Sequence, residues 1–189
     1  MDGVFVHESS YVDEGAKIGE GTKIWYFCHV QSGAEIGCNC SLGQNVECCL
    51  QRQDWRWRED PDNVSVYEGV ELADYVFCGP SCVFTNDLTP RAKYPKGSAA
   101  YRRTPVGEGA SIGANATIVC GHEIGSWALI GAGAVVVTDV PAHALMLGVP
   151  AKRKGWVCEC GQLLGQDLVC GECGRMYCET DSGLKEVNA

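Results

Sequence analysis

The chain has 189 residues, 46% of them hydrophobic and 21% charged, with a formal net charge of −9. That length holds one domain with a core plus a small appendage, and the acidic balance argues against a general nucleic-acid surface. No apolar run approaches the roughly 18 residues that span a bilayer, and the start MDGVFVHESS lacks a basic stretch followed by an apolar one, so a cytoplasmic protein is expected.

From the N-terminus an aliphatic residue falls on every sixth position: Val6, Val12, Ile18, Ile24, Val30, Ile36 and Leu42. A small or β-branched residue follows four places later, as at Ala16, Thr22, Cys28, Ala34 and Cys40, and glycine commonly follows the aliphatic at once, as in Ile18-Gly19 and Ile36-Gly37. A period of six fits neither the 3.6-residue helix nor the two-residue pleat. It fits a short strand and a tight turn taken three times per coil, with the aliphatic pointing into a triangular prism. The fold expected is all-β, a parallel β-helix in which the corner glycine supplies backbone freedom and no coil is stable without its neighbours.

Over residues 47–61 the pattern fails: ECCLQRQDWRWREDP puts Asp54 and Asp60 where aliphatics belong, although the phase of Leu42 resumes at Val66. Two carboxylates in the core would each cost several kcal/mol unless paired, roughly 2–7 for even a neutral polar group. Two explanations stand. One is a bulged loop carrying Trp55 and Trp57. The other is a compensated double frameshift, because reading the codons one base later forces glycine at Trp55-Arg56 and Trp57-Arg58 and permits aliphatics at 48, 54 and 60; these forced glycines favour the second.

Hexads then run through Val66, Leu72, Cys78 and Phe84 until a second break, 85–105, across which the phase shifts. This is an excursion out of the prism, TNDLTPRAKYPKGSAAYRRTP, carrying Arg91, Lys93, Lys96, Arg102 and Arg103. Long loops in compact domains are usually functional, and five cations in an acidic chain suit an anionic substrate. The repeat resumes at Val106, Ile112, Ile118, Ile124, Ile130 and Val136, which takes the prism domain to residue 155.

The chain carries 13 cysteines. Several of them sit within the repeat, where a small apolar side chain is wanted. Cys158, Cys160, Cys170 and Cys173 form two knuckles, C-x-C-G and C-x2-C-G, whose four thiolates suit a structural Zn²⁺ in a ribbon-like segment 156–178, with Cys178 as a substitute ligand. Residues 179–189, polar in composition, are expected to be disordered.

The motif aliphatic-Gly-x-x-small-x resembles the hexapeptide-repeat acyltransferases, whose prisms are left-handed and trimeric; the resemblance covers 1–155. Phe84-Thr85-Asn86-Asp87-Leu88-Thr89-Pro90-Arg91-Ala92, with Ile24-Trp25, His29-Val30, Gly43-Gln44-Asn45-Val46, the stretch from Asn63 to Val70 and Cys78-Gly79-Pro80-Ser81, is similar to N-acetyltransferases acting on nucleotide-linked 3-amino sugars, above all UDP-2-acetamido-3-amino-2,3-dideoxyglucuronate. The resemblance implies acetyl-CoA-dependent N-acetylation in surface polysaccharide or lipopolysaccharide synthesis, by a homotrimer with active sites between subunits. It makes Asn86 the residue that holds the amino group, Arg91 the contact for an anionic part of the sugar nucleotide with Asp87 and Lys93 beside it, and His29 either a sugar or proton-transfer contact or a structural residue. It places acetyl-CoA between neighbouring prisms, along Gly131-Ala132-Gly133-Ala134, with Lys152 and Arg153 on its phosphates. His122 is read as structural. Alternatives on the same fold are a dTDP-linked amino sugar or a hydroxyl as acceptor, or an inactive scaffold. Related carbonic anhydrases need clustered histidines, and His7, His29, His122 and His143 form no close pair.

Overall fold

The computed structural model describes residues 3–49, 59–60 and 62–187. Strands of two residues recur at the predicted hexad positions and stack in parallel, three hexads apart. On the first wall Phe5 pairs with Lys23, Lys23 with Ser41 and Ser41 with Glu59. On the second Tyr11 pairs with His29, His29 with Glu47 and Glu47 with Ser65. The third is built from Lys17–Ile18 on Glu35–Ile36 and Val70–Leu72 on Thr104–Val106, and continues through bridges at Ile124 and Val140. The chain is thus a parallel β-helix of about 7 turns.

Inward positions decide the packing. Ile24, Val30, Leu42, Val66, Leu72, Ile112, Ile118, Ile124, Ile130 and Val136 are all buried in one continuous cluster, with Cys28, Ala34, Cys40, Ala110, Ala116 and Ala134 filling the narrower sites near the corners. Each buried aliphatic contributes about 1.5–3 kcal/mol.

The glycines that follow the aliphatics serve close stacking rather than the turn freedom expected of them. A Cβ on Gly113 would lie 2.5 Å from the Ala132 nitrogen and 2.7 Å from the Gly131 carbonyl carbon of the next coil. Left-handed backbone falls at another point of the same corner, at Asn115 (φ 56°) and, one coil on, at Gly133 (φ 69°), residues that tolerate it.

In the irregular stretch, Cys48 as written fills the inward slot between Val30 and Val66 at 1% exposure. The backbone of Glu59–Asp60 pairs in register with Ser41–Leu42 below and Phe77 above. Residues 50–58 and 61, on which both the bulged-loop and the frameshift readings turn, lie outside the described residues.

The loop leaves the second wall after Val83–Phe84, makes one short helical turn at Ser98–Ala100 and rejoins the third wall at Thr104. Its base is pinned twice: the Arg102 amide donates to the Asn86 carbonyl (2.9 Å), and the Arg103 guanidinium grips both Glu71 oxygens at 2.5 Å.

Past the last coil, Lys152–Trp156 doubles back antiparallel to Ala144–Leu147. The disorder expected over 179–189 gives way to a hairpin of Tyr177–Thr180 and Gly183–Glu186, because Gly183 and Leu184 bond the Ala142 region of the last coil; residues 188 and 189 lie outside the described residues. No helix among the described residues is long and apolar enough to cross a membrane.

Candidate functional site

One corner, between the second and third walls, collects polar side chains from successive coils. Gln31, Cys49 and Tyr67 each directly follow an inward residue (Val30, Cys48, Val66), so coil stacking sets them in a column; Asn86 enters from the next coil. With Ser32, Glu68 and Tyr101 from the loop, they line a cavity of about 230 Å³. Gln31 Nε2 is held by Glu47 Oε1 at 2.9 Å. Burial, reinforced by Glu47, pushes the Cys49 thiol up to about 11, so at neutral pH it is an uncharged thiol and a poor nucleophile. The Asn86 side-chain amide has no hydrogen-bond partner among the described residues, and its groups are free to meet a ligand. Sequence reasoning found Asn86 but not Gln31, Cys49, Tyr67 or Glu68 as its companions; their shared position within the hexad was the available signal.

Tyr101 also borders a second cavity of about 400 Å³, lined by Asp87, Leu88, Thr89, Lys96 and Arg102 among others. Asp87, expected to meet substrate, is engaged within the loop: Lys96 Nζ lies 2.6 and 2.9 Å from its oxygens and the Thr89 amide donates at 2.8 Å. The Lys96 hydrogen bond chiefly holds its carboxyl below the usual value. Of the five loop cations, Lys96 and Arg103 are thereby neutralised. Arg91, Lys93 and Arg102 have no carboxylate partner among the described residues. Arg91 is exposed and donates to the Pro90 carbonyl (3.4 Å), and Lys93 sits 5.7 Å above the Tyr94 ring. Arg102 is the cation that reaches the second cavity beside Lys96.

His29 points outward from the second wall, its Nε2 3.2 Å from Asp13 Oδ2. It lines a third cavity, about 430 Å³, with Ser9, Tyr11, Asp13, Phe27 and Cys28. Among the described residues His29 and Asn86 line different cavities. His122 lies 3.5 Å from Asp139 on the third wall, in none of these three cavities. His143 is buried and bonds the Val157 carbonyl at 2.9 Å.

At the far end, Ala132 and Gly133 are exposed at a corner, and a Cβ on Gly133 would meet nothing within 4 Å. Ala134, in contrast, points into the core at 1% exposure, so its methyl meets no ligand. Lys152 and Arg153 are exposed on the returning strand, and the Arg153 guanidinium lies 4.1 Å over the Trp156 ring.

The thiols of Cys158, Cys160, Cys170 and Cys173 all fall within 4.8 Å of one another. Cys158 Sγ is 3.4 Å from Cys173 Sγ, and Cys160 Sγ 3.5 Å from Cys170 Sγ, far beyond the ~2.05 Å of a disulfide. Tetrahedral zinc with Zn–S of about 2.3 Å sets sulfurs about 3.8 Å apart, so the donor set fits that ion. Hydrogen bonds from the Arg175 amide and guanidinium bring the Cys173 thiol down to about 6. Cys178 is exposed on the hairpin and is not one of the four.

A β-helix of hexapeptide coils, with a pinned loop beside a polar corner pocket, defines the class of hexapeptide-repeat acyltransferases. No family model matches the chain. The dTDP-3-amino-3,6-dideoxy-alpha-D-galactopyranose 3-N-acetyltransferase of Aneurinibacillus thermoaerophilus is 41% identical over 186 residues, 97% of this chain and 95% of that one. LpxA, a UDP-N-acetylglucosamine acyltransferase from Bacteroides fragilis, superposes with a TM-score of 0.66 at 17% identity over 82% of this chain and 62% of its own. A variant of AntD, an N-acyltransferase from Bacillus cereus in complex with dTDP and coenzyme A, gives 0.53 at 16% identity over 82% and 81%. The chain belongs to the hexapeptide-repeat nucleotide-sugar N-acetyltransferases. Its helix is the left-handed parallel form, and it is an enzyme.

Proposed function

We propose that this enzyme transfers the acetyl group of acetyl-CoA to the 3-amino group of a nucleotide-linked 3-amino sugar. The observation that carries this is the unpartnered Asn86 amide in the corner cavity under the loop. A neutral amine attacks a thioester unaided once it is placed, so positioning supplies most of the acceleration. Asn86 orients the amine, the N–C bond forms, and the C–S bond breaks with CoA as the leaving thiolate. Glu68, the carboxylate lining the cavity, offers an acceptor for the amine proton. The raised Cys49 thiol argues against an acyl-cysteine intermediate.

Two acceptors fit. Arg91 and Arg102, with no carboxylate partner among the described residues, suit the uronate of a UDP-linked 3-amino uronic acid, since guanidinium pairs bidentately with carboxylate; that substrate would place the enzyme in surface polysaccharide synthesis. The name of the 41% identical relative favours instead a dTDP-linked 3-amino-6-deoxyhexose. Measuring CoA release with UDP- and dTDP-linked 3-amino sugars separates them, and no release with either class would refute the reading.

The outer walls support a homotrimer. The third carries Lys17, Glu35, Glu71, Glu123 and Asp139. The first presents Phe5, Phe77 and Leu129 beside Lys23 and Ser41, and the second Tyr11, Val83 and Thr117 beside His29, Glu47 and Ser65, so both are richer in apolar side chains. The first two are suited to pack against further copies and the third to face water. Acetyl-CoA then lies between prisms along Gly131, Ala132 and Gly133, with Lys152 and Arg153 on its phosphates and His29 reaching the acceptor from its wall. Light scattering should return about three times the 20.3 kDa chain mass; a monomer sinks this assembly. Residues 1–155 form the catalytic domain and Cys158, Cys160, Cys170 and Cys173 hold zinc in the segment after it.

A further inference from the structure

We infer that the four-cysteine centre is a zinc staple holding a cap over the last coil, and that the cap positions Arg153; the second half rests on the placement of Arg153 at the coenzyme A phosphates.

The two ends of the helix differ. In the first described coil the inward Val6, Val12 and Ile18 are partly exposed, whereas in the last coil Val140, Ala144 and Met146 are 3%, 0% and 4% exposed. The returning strand Lys152–Trp156 lies on Ala144–Leu147, and the segment after it bonds the same coil. The Ala142 amide donates to the Ser182 carbonyl (2.9 Å), and the Ala142 carbonyl accepts from Leu184 (3.1 Å). The Val157 amide donates to the His143 carbonyl (2.8 Å), and the His143 ring returns a bond to the Val157 carbonyl (2.9 Å). A Cβ on Gly183 would stand 2.4 Å from the Ala142 oxygen, so the hairpin is set on the last coil as one more rung. Stacked-repeat proteins need such an end piece, because the terminal coil otherwise leaves its core and backbone edge open.

The cap has little core of its own. Its one apolar cluster is Cys158, Cys170, Tyr177 and Leu184, two of which are thiols, with Val157 buried against the last coil. Gly161 and Gly174, at φ 88° and 76°, let the chain turn tightly after each cysteine pair, their amides donating to the Cys158 and Cys170 carbonyls at 2.8 and 2.9 Å. Both turns bring sulfur to one point, and metal binding there supplies folding energy that so small a core lacks. A chain of contacts leads from the metal to the coenzyme end. The Tyr177 hydroxyl is 3.1 Å from Cys158 Sγ, and Tyr177 opens the strand that carries Glu179. Glu179 Oε1 accepts from Trp156 Nε1 at 3.2 Å, and the Trp156 ring lies under the Arg153 guanidinium.

The test begins with reduced, full-length protein. Native mass spectrometry with elemental analysis should find one zinc per chain, and cobalt substitution should give the absorption of a tetrahedral thiolate site. Both signals should vanish in the double variant Cys160→Ser/Cys173→Ser. Chelation of wild-type protein should speed hydrogen exchange at Ala142, Val157 and Leu184 while Ile112 and Ile118 stay protected. It should also raise the KM for acetyl-CoA about three- to fivefold, the scale of one cation–ring contact, with kcat retained. Trp156→Ala should reproduce the KM change with zinc still bound and add nothing once the metal is removed, and Trp156→Phe, which keeps a ring under Arg153 but loses the Nε1 bond to Glu179, should restore only part of the affinity. Reduced protein without metal, or unchanged exchange at Ala142 and Val157 after chelation, overturns the staple. If Arg153→Ala leaves the KM unaltered, the positioning half falls with the coenzyme placement, and the exchange data still judge the cap.

Discussion

Asn86→Ala removes the amide that the corner cavity presents to its ligand and leaves everything else in place. The truncated group has no hydrogen-bond partner among the described residues, so its loss unpairs nothing in the protein. The backbone carbonyl that receives the Arg102 amide at 2.9 Å remains, so the loop stays pinned. The expected cost in stability is therefore that of a surface change, within about 0.5 kcal/mol. The cost in catalysis is one hydrogen bond to a reacting, charge-developing amine, about 1.5–3 kcal/mol, or about 10- to 150-fold in kcat by the usual conversion. The assay is steady-state CoA release with the preferred amino-sugar nucleotide, alongside melting temperature and mass in solution. KM for acetyl-CoA should hold, because the coenzyme residues lie elsewhere. A kcat within threefold of wild type in a folded protein would refute the role given to Asn86.

Lys152→Ala/Arg153→Ala should raise the KM for acetyl-CoA about tenfold or more while kcat changes little, as two charge-assisted phosphate contacts are lost; wild-type KM would count against that placement. Cys49→Ser should keep activity within about threefold, and wild-type Cys49 should react slowly with iodoacetamide at neutral pH, since thiolate is scarce below about 11; abolished turnover would restore a covalent mechanism. Burial chiefly holds the His143 imidazole below its ordinary value, against the opposing pull of the Val157 carbonyl, Glu159 and Glu186. A depressed folded value means that the unfolded chain binds the proton first. The stabilisation is therefore whole above about 6.5 and is lost as pH falls below it. Melting temperature should drop with acidification more steeply in wild type than in His143→Gln, and equal slopes would refute this.

The coils were legible because each inward slot admits one shape of residue: from Ile24 to Leu42, from Val66 to Phe84 and from Val106 to Val136, six-residue spacing marks what is buried. Spacing carries no handedness, which entered by resemblance. It also hid what Gly113 is for, since the clash that excludes a side chain there comes from Ala132 in the next coil. The polar run after Cys178 reads as disorder because composition cannot show that Ala142 awaits Gly183 and Leu184. In the site, Asn86 stood out through its local motif, whereas Gln31, Cys49, Tyr67 and Glu68 meet it only once coils are stacked. Asp87 and Arg103 look like ligand contacts in a cationic loop, yet Lys96 and Glu71 occupy them.

The pinned base of the loop bears on how this scaffold diversifies. With Asn86 tied to Arg102 and Arg103 to Glu71, the strands on either side keep their stacking whatever lies between. Closing a longer excursion adds little entropy, about 0.6 kcal/mol per doubling. Residues 88–99 can therefore be exchanged, lengthened or shortened as a cassette while the helix and the amide-bearing corner stay as they are, which under the role proposed for Arg91 would trade one sugar for another.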